Sequence, residues 1–316
     1  MKKKIIFFGT PSFAVTSLDK INSKFIIDHV VTAPDKRSGR GLKLNESDVK
    51  KYTLKNKIKT IQPSNLMDEV FINQIKDLKP DLIIVVAFRK LPADIFNIPK
   101  YGAINLHASL LPNYRGAAPI NWCLMNGETK TGVTTFYINE KIDQGDILLQ
   151  KEIMIKNEDD FGSLYTKLSE VGAELVVKTI DGIFNNSLKA IKQNYIDELK
   201  LAPKLNSENT RVNWSKSTNE IIRQIKGLYP KPGAWTMMKN GKNKLRLKIL
   251  KAVKEKEPPL LKNNFNGEIV INSNELHIYK NDGVINCLVI QLENKREMTA
   301  KELLNGLKFD ENSHVY

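Results

Sequence analysis

Apolar and polar positions in the first half of the chain fall into alternating short blocks and longer periodic stretches. Residues 4–8 form a compact apolar block that stops at Gly9, residues 11–22 repeat with a helical period, and residues 25–32 again read as a strand. Residues 65–78 place Leu66, Val70, Ile72, Ile75 and Leu78 near helical spacing. Pro80-Asp81 then introduces the unbroken apolar run 82–87, the pattern of a strand buried on both faces. Residues 33–50 show no period, are rich in Gly, Lys and Arg, and predict a long loop. Strand, helix and strand in alternation predict an α/β unit with a parallel sheet, whose ligands bind at the carboxyl ends of the strands. Three such ends are visible, at 9–12, at the loop beginning with Ala33, and at 87–90. Gly9-Thr10-Pro11-Ser12 lacks the spacing of a dinucleotide-binding turn, so a nicotinamide or flavin site is rejected. A tight strand-to-helix turn accounts for Gly9 equally well.

The second half changes character. Residues 160–185 form a long amphipathic stretch carrying Phe161, Leu164, Leu168, Val171, Leu175, Val176 and Ile183, with Asp160 as its cap. Residues 194–216 are polar and read as a linker, and 218–227 as a short helix. After Tyr229-Pro230-Lys231-Pro232-Gly233 come short strand patterns at 235–238, 245–253, 268–271, 275–279 and 284–291, separated by Asn-Gly and Asp-Gly turns. Short strands at this spacing predict a small β-barrel. The expected division is a first domain over 1–189, a linker over 190–208 and a barrel domain over 209–316. A length of 316 residues suits two cores.

Composition removes several classes. With 41% hydrophobic and 27% charged residues the chain is ordinary globular protein. No stretch approaches the roughly 20 apolar residues of a membrane span, and the apolar block after Lys2-Lys3-Lys4 is too short for a secretion signal. Cys123 and Cys287 lie far apart and the four histidines are scattered, so neither a disulfide framework nor a structural metal is expected. The expected compartment is the cytoplasm, with no membrane partner.

Candidate chemistry concentrates between Ala103 and Gly145. Residues 103–107 form a strand pattern in which alternation puts Asn105 and His107 on one face. An imidazole carries a proton near neutral pH, and an amide donates to a developing oxyanion. Asp143, in Ile142-Asp143-Gln144-Gly145-Asp146, supplies a carboxylate that could orient the imidazole. The set suits acyl-group transfer without a covalent enzyme intermediate, since no Ser or Cys elbow accompanies it. A histidine packed in a strand and an aspartate in a turn remain the simpler alternatives.

The run 105–120, Asn-Leu-His-Ala-Ser-Leu-Leu-Pro-Asn-Tyr-Arg-Gly-Ala-Ala-Pro-Ile, resembles the signature of the methionyl-tRNA formyltransferase family. Gly9-Thr10-Pro11-Ser12-Phe13, Gly132-Val133-Thr134, Asp143-Gln144-Gly145-Asp146, Asn213-Trp214, Pro232-Gly233-Ala234-Trp235 and Met298-Thr299-Ala300 match the same family in order. The resemblance implies a Rossmann-like N-terminal sheet of the formyltransferase fold, an OB-like barrel, and formyl transfer from 10-formyltetrahydrofolate to the amino group of methionyl initiator tRNA. It implies Asn105, His107 and Asp143 as catalytic residues; Ser109, Leu110, Leu111, Pro112 and Phe88 against the folate; a monomer; and no metal. It also implies that the basic loop carrying Arg37, Arg40 and Lys43 meets the acceptor end of the tRNA. Phe88-Arg89-Lys90 departs from the family, where Tyr-Gly is common. Glycinamide ribonucleotide and sugar-nucleotide formyltransferases, formyltetrahydrofolate hydrolases and an inactive tRNA-binding module stay open as alternatives.

The formal net charge is +14, and it is unevenly spread. Residues 192–254 hold 15 basic and 4 acidic residues, whereas 255–316 hold 7 and 10. A general lysine bias would not concentrate charge in one fifth of the chain; a surface that grips phosphates would. Its expected contacts are Lys200, Lys204, Arg211, Lys242, Lys244, Arg246 and Lys248.

Overall fold

The computed structural model describes residues 3–38, 43–194, 197–255 and 265–316. The chain divides into two compact units. One comprises Met1–Pro119, Lys130–Met154 and Tyr165–Leu201; the other comprises Ile120–Thr129, Ile155–Leu164 and Ala202–Tyr316.

The first unit is built on seven strands: β1 (Ile5–Gly9), β2 (Ile27–Val31), β3 (Thr60–Ile61), β4 (Leu82–Val86), β5 (Ala103–His107), β6 (Lys130–Tyr137) and β7 (Ile147–Met154). Their spatial order is β7-β6-β5-β4-β1-β2-β3. The five strands from β5 to β3 run parallel, while β6 is antiparallel to both β5 and β7. Strands β1 and β4 are buried at every position, which explains their unbroken apolar sequences. The helix Glu69–Leu78 starts where the Asp68 carboxylate accepts the Val70 N–H, and its C-cap Lys79 has φ +48°. Phe71, Ile72 and Ile75 from that helix pack with Phe8, Val31, Ile83 and Val85 of the sheet. At Gly9 a Cβ would lie 2.6 Å from the Ala14 Cβ and 2.7 Å from the Phe7 ring, so close packing of the turn accounts for this glycine.

Two features depart from the sequence pattern. The expected loop over 33–50 contains the antiparallel pair Lys36–Ser38 and Lys43–Asn45 and the start of the helix Asp48–Lys55. Three-residue strands and a polar helix are too short to impose a period. Strands β6 and β7 were also not expected. The exposed Gln150-Lys151-Glu152 interrupts any apolar alternation in β7.

The second unit is the antiparallel barrel expected from the sequence. Its strands are β8 (Ala234–Asn240), β9 (Asn243–Glu255), β10 (Ile269–Asn272), β11 (Glu275–Lys280), β12 (Gly283–Leu292), β13 (Met298–Thr299) and β14 (His314–Val315). They pair in the order β10-β11-β12-β9-β8-β14, with β13 against β12. The Val315 N–H donates to the Gly267 carbonyl and the Ile269 N–H to Ser313, so the terminal strand nearly closes the barrel. Leu247, Ile249, Leu276, Ile278, Ile285 and Ile290 form its core with Ile221, Ile225 and Leu228 of the helix Thr218–Leu228. That helix begins at a Ser217–Glu220 capping box, and Thr218 donates both its N–H and its hydroxyl to Asp282 in the β11–β12 turn. Cys287 lies wholly inside, and burial pushes its thiol up to about 12.

Candidate active site

The site is assembled at the carboxyl end of β5, where a parallel strand delivers side chains to a sheet edge. Asn105 is half-buried and His107 is 7% exposed. The His107 Nε2 lies 2.8 Å from the Tyr114 carbonyl oxygen. A carbonyl only accepts, so Nε2 carries a proton and Nδ1 is the ring atom left to gain or lose one. Nδ1 faces the Asp143 Oδ2 at 3.8 Å. The same carboxylate oxygen accepts the Gly116 N–H at 2.9 Å. Asp143 sits at φ +54°, in the left-handed region that non-glycine residues rarely adopt. Two residues on, Gly145 packs so closely that a Cβ would fall 1.6 Å from the Tyr137 carbonyl oxygen. The structure therefore brings His107 and Asp143 together from positions thirty-six residues apart, with Asn105 on the same strand.

The 109–112 turn is held from beneath by two side chains that sequence reasoning passed over. The buried Thr134 hydroxyl donates to the Ser109 carbonyl at 2.6 Å and accepts the Leu111 N–H at 3.2 Å. Gln150 donates to Thr134 Oγ1 and to the Leu111 carbonyl, both at 2.9 Å. Ser109 itself donates to the Asn113 carbonyl, and the Leu111–Pro112 peptide is cis. Leu111 is buried, whereas Leu110 and Pro112 are half-buried. Thr134 stands opposite His107 in the β5–β6 register, so one strand pair positions both.

Phe88 follows β4 and sets its ring edge-on to Phe8 at 5.5 Å. Arg89, one of the departures from the family pattern, turns its guanidinium to the Ser64 and Pro63 carbonyls at 3.0 and 2.8 Å. Burial lowers its pKa. Arg115 is also lowered by burial, with the Asp143 charge opposing the shift.

The basic residues separate into groups. Arg40 lies outside the described residues, and Arg37 and Lys43 are described in backbone only, as partners in the 36–38/43–45 pair. Lys200 belongs to the first unit, where its backbone carbonyl accepts the Tyr114 N–H; Lys204 is exposed in the second. Lys242 occupies the β8–β9 turn. Lys244, Arg246 and Lys248 alternate along β9 and stand opposite Lys239, Met237 and Trp235 of β8. The Arg246 guanidinium lies 4.0 Å from the centroid of the Trp235 ring, with Arg211 at 5.5 Å. Trp235 and Lys239 are thus additions to the expected basic surface. Lys239 and Lys244 face each other directly, a like-charge pairing that costs stability. Among the described residues one group has metal-ligand spacing, Glu255, Glu275 and His277 in the barrel, where His277 Nε2 is 3.1 Å from Glu255.

Comparison with known proteins defines the class first. Residues 3–180 match the formyl transferase family, and residues 204–308 match its C-terminal domain. Methionyl-tRNA formyltransferase of Flavobacterium johnsoniae is 44% identical over 316 residues, covering 100% of this chain and 99% of that protein. The protein of the same name from Thermodesulfovibrio yellowstonii is 44% identical over 315 residues, covering 98% of each. The chain belongs to the methionyl-tRNA formyltransferase family. Among solved structures, HypX of Aquifex aeolicus, in complex with tetrahydrofolic acid, shares the fold with a TM-score of 0.67 at 19% identity; the alignment covers 98% of this chain and 49% of HypX. The sugar 3N-formyl transferase WlaRD gives 0.66 at 22% identity, over 94% of this chain and 100% of that one.

Proposed function

We propose that this enzyme transfers a formyl group from 10-formyltetrahydrofolate to the amino group of methionine on initiator tRNA. The observation that carries the reading is the meeting of His107 with Asp143 at the β5 edge in a chain related end to end to methionyl-tRNA formyltransferases. The amine attacks the formyl carbon, a C–N bond forms, and the bond to the folate nitrogen breaks. Negative charge develops on the formyl oxygen in between. Asn105 and the protonated Nδ1 of His107 donate to that oxygen, and Asp143 steadies the imidazolium. The proton lost by the amine reaches the leaving folate nitrogen through His107, Asp143 or water. Ser109, Leu110, Leu111, Pro112 and Phe88 bind the folate, and the Thr134–Gln150 network keeps their turn in place.

The acceptor side rests on charge. Lys204, Arg211, Lys242, Lys244, Arg246 and Lys248, with Lys200 and the loop carrying Arg37, Arg40 and Lys43, hold the tRNA phosphates. The tolerated Lys239–Lys244 pairing supports a surface kept for an anion. The division into a catalytic domain over 1–189, a linker over 190–208 and a tRNA-binding barrel over 209–316 belongs to the same reading. So do a monomer, a cytoplasmic location and catalysis without a metal. Among the described residues no helix is long and apolar enough to cross a membrane.

The test offers purified protein 10-formyltetrahydrofolate with charged initiator tRNA, glycinamide ribonucleotide and an amino-sugar nucleotide as competing acceptors. Formyl label on methionyl-tRNA alone is the expected outcome. Label on either small acceptor in preference to the tRNA would overturn the acceptor assignment.

A further inference from the structure

Gln193 falls within the expected linker over 190–208, yet it is bound into the site. Its Nε2 donates to the Asp143 carbonyl at 2.9 Å and to the Gly145 carbonyl at 2.8 Å. Its Oε1 accepts from Arg115 Nε at 3.1 Å and from Nη2 at 2.6 Å. Two donors and two acceptor sites are the full capacity of a carboxamide, so every one is used. Ile191, two residues earlier, exchanges backbone hydrogen bonds with Ile147 at 2.7 and 2.8 Å, which fixes the segment to the start of β7.

We propose that Gln193 is a positioning residue for Asp143, tying the left-handed turn that carries this carboxylate to the Arg115-Gly116 segment that holds it. The inference rests on the formyl-transfer reading above, in which Asp143 acts through His107. The geometry gives the reason. Asp143 occupies a left-handed backbone conformation, uncommon outside glycine, and the turn leaves two carbonyls, those of Asp143 and Gly145, within reach of one donor group. One amide group satisfies both. The other end of that amide holds Arg115, whose neighbour Gly116 supplies the N–H that fixes Asp143 Oδ2 beside His107. Gln193 therefore sets the separation between the two signature segments without touching the reacting groups.

Removing the amide frees the turn while leaving the folate turn and the basic surface as they are. Gln193→Leu leaves an apolar side chain one atom shorter and removes all four hydrogen bonds. Turnover falls by about 10–100-fold, since displacement of a catalytic group by about 1 Å costs that order, while both Michaelis constants change less than about threefold. The deciding measurement is a double-mutant cycle with Asp143→Asn. Acting through Asp143, Gln193→Leu adds little to the loss already caused by Asp143→Asn; fully multiplicative losses overturn the proposal. Gln193→Glu, which keeps volume and an acceptor for Arg115 but loses the donor, gives the same result if the leucine variant does not fold. The two levels of reading separate cleanly. Full activity in His107→Ala and Asp143→Asn sinks the formyl-transfer assignment of the site. Inactivity of those variants beside undiminished turnover in Gln193→Leu and Gln193→Glu sinks this inference alone.

Discussion

Thr134→Val removes one hydroxyl and changes almost nothing in shape, yet that hydroxyl joins three partners beneath the 109–112 turn. It donates to the Ser109 carbonyl and accepts from the Leu111 N–H and from Gln150. Thr134 is fully buried, as are Ser109 and Leu111, so the groups it abandons have little access to replacement water. Each buried polar group left without a partner costs about 1–3 kcal/mol. Gln150 keeps its bond to the Leu111 carbonyl and softens the loss. The expected destabilisation is about 2–3 kcal/mol, which lowers the melting temperature of a unit this size by roughly 5–10 °C. The Michaelis constant for the formyl-folate should rise as the turn loosens. Thr135→Val is the matched control. Thr135 is equally buried and meets Thr179 Oγ1 at 2.8 Å, away from the turn. It should cost stability and leave the folate constant unchanged. Calorimetry and steady-state kinetics on both variants decide the matter. If Thr134→Val melts like the parent, or if the two valine variants affect the folate constant alike, the network has been misread.

The remaining predictions concern the chemistry, the acceptor surface and the barrel. Asn105→Ala, His107→Ala and Asp143→Asn should each lower turnover by about 100-fold or more in single-turnover formylation with both substrates bound; near-parental rates would remove the residue from the mechanism. Changing Lys244, Arg246 and Lys248 together to Gln should weaken tRNA binding, and reduce the slope of log affinity against log salt by about 2–3, with folate binding unchanged. Filter binding across a salt series measures this, and an unaltered slope would place the phosphates elsewhere. Asp282→Ala should destabilise the barrel by about 1–3 kcal/mol through the two donors of Thr218 that it leaves behind. Burial pushes the Asp282 carboxyl up, but the Thr218 N–H and hydroxyl overcome it and hold the carboxyl below its ordinary value. The stabilisation is thus present above the unfolded-state value near pH 4 and disappears as pH falls through the folded one. Parent and variant should converge in acid denaturation, and a gap that widens there would contradict the assignment.

Local and periodic features were legible in the sequence. The buried strand 82–86 announced itself by an unbroken apolar run, and the barrel strands by short blocks between Gly turns; observed limits differ from the expected ones by a residue or two. Asn105 and His107 could be placed on one face because strand alternation is strict. Asp143 could be offered as their partner from its chemistry and from the resemblance but not placed beside them, because nothing in a period encodes a contact across thirty-six residues. Gln150 and Gln193 were invisible for the same reason. A glutamine among polar neighbours looks like surface, and only the fold shows that its amide reaches carbonyls about forty to fifty residues earlier. Thr134 offered a partial signal, since it closes the Gly132-Val133-Thr134 match, but a threonine in a strand is common for its branched shape alone.

The two units do not follow one another along the chain. Residues 120–129 and 155–164 belong with the C-terminal unit, where Asn121 donates to the Gly227 carbonyl, Trp122 to Pro203, and Lys226 to Asn157. During synthesis these two excursions leave the ribosome about seventy to a hundred residues before the groups that receive them. The first unit must therefore settle around segments that have nothing yet to bind. A cut in the stretch between the units would likewise not release two self-sufficient pieces, because the amino-terminal fragment would carry away part of its neighbour's core. The two units interleave along the sequence, and the second is finished only when the strand His314–Val315 has been made.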